Sequence, residues 1–217
     1  MMIFDHVGSN FMPDQEMLRY IGRAAAPVFF FFIGFSNSKR TDFSLPVLGI
    51  AIVAIDYILF GKYSANILIS LFIFRLFNTI LEDKDFNIKA SAVFAIAFLT
   101  FLTFPSMHIF EYSTIGILPY LLGHTIRLDR SNKKFFILAF GGLYYISLFI
   151  LSGMMEDKLF LSSYIITTFI LMGTISDKTY SGRPGFVDKT IYLLGKYALQ
   201  VYFVHVTIFK LIEFNIS

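Results

Sequence analysis

Cysteine and tryptophan are absent from the chain, and charged residues are scarce. Without cysteine, neither a disulfide framework nor a thiolate metal site can form, and the redox compartment goes unmarked. The phosphate loop GxxxxGK[ST], the dinucleotide fingerprint GxGxxG, the zinc pair HExxH and the nucleophile elbow GxSxG are all missing. No metal centre is therefore expected, and the one local Gly-Arg-Pro-Gly element, Gly182 to Gly185, reads as a turn. Lys and Arg number 18 against 15 Asp and Glu, a net charge of +3. Those cations fall in short clusters between apolar runs, a pattern that points away from nucleic acid as a partner and toward anionic lipid. Internal repeats, low-complexity tracts and long linkers are lacking as well, so residues 1–217 are expected to form a single domain.

What the sequence does contain is apolar bulk. Of its 217 residues 56% are hydrophobic, with 28 Phe and 12 Tyr, and the mean hydropathy is +0.69. Runs long enough to approach the roughly 20 residues of a membrane crossing occur at 20–37, 45–60, 64–81, 88–105, 108–126, 135–152, 159–176 and 191–212. The expectation is an all-α, polytopic transmembrane helix bundle of about eight spans. Residues 1–12 read as the second half of a further span, and Asp5 and His6 interrupt the place where a signal peptide would be apolar. Cations recur in alternate connections, at Lys39 and Arg40, at Lys84 and Lys89, from Arg127 to Lys134, and from Lys178 to Lys189. These connections read as cytoplasmic, which puts Asp5, His6, Arg19 and Arg23 toward the external side.

Ionisable groups inside apolar runs are costly and so carry the functional information. Arg19 and Arg23 lie four apart on one helical face, where two cations tolerate each other only around an anion. Arg23 could pair with Asp5 or Asp56, and Arg19 could reach an interface. Asp5 and His6 are adjacent, so on a helix they point about 100° apart and do not align as a dyad unaided. His205 follows Val201 by four and Tyr202 by three, as a catalytic group or as one end of a polar clamp between helices. Asp56 and Arg75 suggest structural pairing or, for Arg75, contact with an anion. His108 and His124 stand at run ends, where solvation explains them.

Two stretches resemble known families. Asp5-His6-Val7-Gly8, followed by Leu18-Arg19-Tyr20-Ile21-Gly22-Arg23-Ala24-Ala25-Ala26-Pro27-Val28-Phe29 and Gly34, resembles the TraX family, whose members open on a DHIG element and then an R-x-I-G-R-L-A-F-P-I-F run. The stretch Leu194-Gly195-Lys196-Tyr197-Ala198-Leu199-Gln200-Val201-Tyr202-Phe203-Val204-His205 is similar to the closing helix of the wider group of multi-span membrane acyltransferases. The resemblance implies a bacterial inner-membrane enzyme of a conjugation system that moves acetyl from acetyl-CoA to the N-terminus of a pilin subunit. It implies His6, Asp5 and His205 as catalytic residues and Arg19, Arg23 and Arg75 as ligands for acetyl-CoA. Other readings are acylation of a cell-surface glycan, a small transporter that uses the buried charges, and a noncatalytic assembly partner in secretion.

Overall fold

A computed structural model of the chain describes residues 2–12, 25–36, 43–63, 65–80, 114–152 and 197–216, together with residues 15, 18, 22, 168 and 172. Among the described residues seven α-helices follow one another: α1 (Met2–Asn10), α2 (Ala25–Ser36), α3 (Ser44–Phe60), α4 (Ile67–Ile80), α5 (Ile117–Leu128), α6 (Lys133–Ser152) and α7 (Ala198–Ile216). A single 3₁₀ turn, Thr114–Gly116, leads into α5.

Among the described residues the all-helical expectation holds, but the transmembrane bundle does not. Among the described residues no helix is long and apolar enough to cross a membrane. Run 88–105 lies outside the described residues, as does run 159–176 apart from residues 168 and 172. Local chemistry explains the shortness. α3 stops after 17 residues, about 26 Å at 1.5 Å per residue against the roughly 30 Å of a hydrocarbon core. It stops because Gly61 takes a left-handed conformation (φ 65°) and its N–H bonds to the Tyr57 carbonyl, a conformation glycine adopts without steric cost. Asn66 then starts α4. Its Oδ1 accepts from the Leu68 N–H at 3.0 Å, and its Nδ2 donates back to the Gly49 carbonyl of α3 at 2.9 Å. α5 has only 12 residues, the 20-residue α6 opens on two lysines, and α7 carries Lys210 and Glu213.

α5 is the centre of the packing. Every residue from Ile117 to Ile126 is buried, so its polar groups must find partners inside the protein. The Tyr120 hydroxyl donates to Asn78 Oδ1 at 2.8 Å, and Asn78 Nδ2 donates to the Ile33 carbonyl at 2.9 Å, tying α5, α4 and α2 together. Thr125 turns its hydroxyl back onto the Leu121 and Leu122 carbonyls. α2 lies directly against α5 because glycines face the crossing on both sides. A Cβ at Gly34 would stand 2.0 Å from the Tyr120 carbonyl oxygen, and one at Gly123 would stand 2.1 Å from that of Phe31. This is the close backbone approach that small residues permit between helices. Phe30, Phe31, Leu118, Tyr120 and Leu122 fill the surrounding core.

α3, α6 and α7 keep apolar side chains on their outer faces, among them Val47, Ile50, Ile58, Leu138, Ile146, Val204 and Ile208.

Candidate functional site

The inward stripe of α7 is formed by Tyr202, His205, Val206, Phe209 and Lys210, spaced three or four apart as one helical face requires. Tyr202 and Val206 are buried. α1 packs against this helix and brings His6 to it. The His6 and His205 rings lie 5.3 Å apart between centroids, and His6 and Tyr202 are 6.1 Å apart. Tyr202 meets His205 edge-on at 5.4 Å, and Phe209 does the same from the other side at 5.8 Å. Phe11 of the segment after α1 closes the cluster against Phe209 at 5.3 Å. Two imidazoles nearly 200 residues apart in sequence thus share one aromatic cluster.

The orientation of His205 has a definite chemical consequence. Its Nδ1 lies 2.6 Å from the Val201 carbonyl oxygen. A carbonyl only accepts, so Nδ1 carries the proton and the neutral ring keeps its lone pair on Nε2. That Nε2 is buried and has no hydrogen-bond partner among the described residues. Ser70 Oγ and Thr207 Oγ1 are in the same condition, so what sets this nitrogen apart is the His6 ring beside it. Burial also pushes the His205 imidazole below its ordinary range, which keeps it neutral at physiological pH.

Burial pushes His6 down from 6.5 to about 4, with His205 and Lys210 nearby adding to the effect. His6 is therefore neutral in the folded chain at pH values where the unfolded chain begins to protonate it. The stabilising contribution is complete above about pH 6.5 and disappears as pH falls toward about 4. Acidification across this window is expected to remove up to about 3 kcal/mol of stability, read by denaturant unfolding at stepped pH. His6→Phe should flatten the curve. An unaltered slope in that variant would show that His6 is not buried as a neutral ring.

Beside the imidazoles, Lys210 of α7 forms an ion pair with Asp56 of α3. Asp56 belongs to the buried stripe Leu45, Gly49, Ile52 and Asp56 of α3, so its carboxylate faces the bundle and requires a counter-charge. Among the described residues Asp56 thus pairs with Lys210, 154 residues away, while Arg23, expected to pair with Asp5 or Asp56, lies outside them. Lys210 could have been suspected as a cation within the last apolar run, five residues past His205.

The remaining sequence candidates divide clearly. His6 and His205 are brought together. Asp5 lies on α1 beside His6, but its side chain is outside the described residues, as are Arg19, Arg23 and His108. Arg75 is half-buried on α4. His124, expected to be solvated at a run end, is instead fully buried, because α5 continues to Leu128 and places it one turn inside. Its Nδ1 meets Arg127 Nη2 at 3.2 Å, and its ring stacks on Tyr120. Among the described residues no cluster of His, Asp and Glu could hold a metal ion.

An uncharacterized protein of Rickettsia prowazekii (strain Madrid E) is 26% identical over 159 residues, which cover 72% of this chain. The chain spans 64% of that relative's length. No solved structure matches. The family model described as TraX protein matches residues 1–213, a range that takes in both the α1 segment with His6 and the α7 stripe with His205, and the chain belongs to the TraX family.

Proposed function

We propose that the chain is an acetyltransferase that moves acetyl from acetyl-CoA to the N-terminal amine of a conjugative pilin subunit. Family membership supplies the context. The observation that carries the chemistry is the buried Nε2 of His205, which lies next to His6 and has no hydrogen-bond partner among the described residues. An α-amine titrates near 8, so a modest base at short range suffices to free its lone pair. In this reading the amine attacks the thioester carbonyl, and the new C–N bond forms as the C–S bond breaks. The amine proton passes to His205 Nε2 and then to the departing thiolate, which leaves as the free thiol.

His205 is the better base of the two imidazoles. Its tautomer is fixed by Val201, whereas His6 is the more strongly depressed in basicity. His6 and Tyr202 then hold the His205 ring and keep water from it. Lys210 and Asp56 fix α7 against α3 at the level of the site.

The test is mass spectrometry of pilin from cells with and without the gene. Acetylated N-termini are expected only when the gene is present, and equal acetylation in both strains would refute the reading. Labelled acetyl-CoA bound by a chain that leaves pilin unmodified would point instead to another acceptor, such as a glycan.

A further inference from the structure

The charge of the chain is concentrated where α5 turns into α6. Arg127, Arg130, Lys133 and Lys134 fall within eight residues that contain one carboxylate, Asp129, an excess of three as large as the net charge of the whole chain. Asp129 is engaged in building the turn. Its Oδ1 accepts from the Ser131 N–H at 3.1 Å, the Ser131 hydroxyl at 2.5 Å and the Asn132 N–H at 3.3 Å, while Oδ2 accepts from Asn132 Nδ2 at 2.7 Å. These bonds hold its carboxyl below the usual carboxylate range. The acid thus shapes the corner that displays the cations.

Two of the cations are held in place. Arg127 donates through Nη2 to His124 Nδ1. A guanidinium only donates, so His124 is the neutral acceptor in this pair, and its full burial in α5 anchors the Arg127 head group to the core. Arg130 lies over the Phe35 ring at the end of α2, 6.0 Å from its centroid, a cation–π contact that restricts its head group. Lys134 is exposed and Lys133 half-buried beside them. Ordering guanidinium groups in advance lowers the entropic cost of closing them on an oxyanion, and their planar fork matches phosphate oxygens.

We infer that the α5–α6 corner is a binding site for phosphate groups, and that its ligand is the phosphorylated nucleotide end of the acyl donor. The choice of a nucleotide rests on the donor named above, while the choice of phosphate rests on the corner itself. An anionic lipid headgroup presents the same chemistry, so the experiment separates the two.

Adenosine 3′,5′-bisphosphate, which carries no acyl group, is titrated into the purified full-length chain by calorimetry, with adenosine as the uncharged control. The wild-type chain should bind the bisphosphate and not adenosine, with binding that weakens as ionic strength rises. The R130Q/K134Q variant should bind it about tenfold or more weakly while keeping wild-type helicity by circular dichroism. The single variant K134Q, at an exposed position, should show part of that loss. Absent binding, or equal binding by wild type and double variant, overturns the inference. Capture by phosphatidylglycerol vesicles through the same residues without bisphosphate binding also overturns it. Bisphosphate binding through these residues with pilin left unacetylated would keep the corner and remove the proposed enzyme. Acetylation by R130Q/K134Q at an unchanged KM for acetyl-CoA would do the reverse.

Discussion

Gly34→Ala is expected to destabilise the protein by about 3 kcal/mol or more, and Gly123→Ala by a similar amount. The added methyl at Gly34 would stand 2.0 Å from the Tyr120 carbonyl oxygen, and the one at Gly123 would stand 2.1 Å from the Phe31 carbonyl oxygen. Both obstacles are backbone atoms of a facing helix, so no rotamer change can make room. α2 and α5 would have to move apart as bodies. That movement would open the packing of Phe30, Phe31 and Leu118. It would also strain the bonds from Asn78 to Ile33 and from Tyr120 to Asn78 that join α2, α4 and α5. Gly142→Ala on α6 is the matched control, because a Cβ there meets nothing within 4 Å. At that position alanine should be neutral or stabilising by up to about 1 kcal/mol, since it is the better helix former. Thermal unfolding followed by circular dichroism separates the three variants. Gly34→Ala melting with the wild type would mean that α2 and α5 do not cross at these glycines.

Helix positions were legible where punctuation marks their ends. The apolar runs 45–60 and 135–152 nearly coincide with α3 and α6, since Gly61 ends the one and lysines open the other. Run 108–126 was displaced because the described helix begins only after the Thr114–Gly116 turn and carries on to Leu128. Apolarity was a poor guide to environment. A run such as that of α5 satisfies its apolar surface inside the protein, against α2 and α6, so hydropathy alone does not distinguish a buried core helix from a membrane crossing. Charges were found more easily than their partners. Asp56 was recognisable as a carboxylate in need of a cation, but Lys210 is 154 residues distant, and no local pattern encodes a pairing over that separation. The two imidazoles were marked by motifs at either end of the chain. Their convergence depends on the packing of α1 against α7, which neither motif contains.

His205→Gln is expected to lower the rate of the proposed acetyl transfer by about 10²- to 10⁴-fold, the usual contribution of a positioned general base. Glutamine keeps a polar side chain at this position, yet its amide has no basic nitrogen, so the loss should fall on kcat with little change in KM for acetyl-CoA. His6→Phe preserves an aromatic ring against Tyr202 and His205 and should cost far less, because in this arrangement His6 positions the base without taking the proton. The pH profile provides a separate readout. Burial holds the His205 imidazole below its ordinary range, so the wild-type rate should show the deprotonation of this base on the acid side of neutrality and depend above that only on the amine substrate. His205→Ala should recover part of its activity when free imidazole is supplied, since the small base can enter the space left by the ring. Wild-type turnover by His205→Gln would remove this residue from proton transfer. A His6→Phe loss as large as that of His205→Gln, with folding intact, would move the base to His6 and leave the Val201 contact as a device for holding α7.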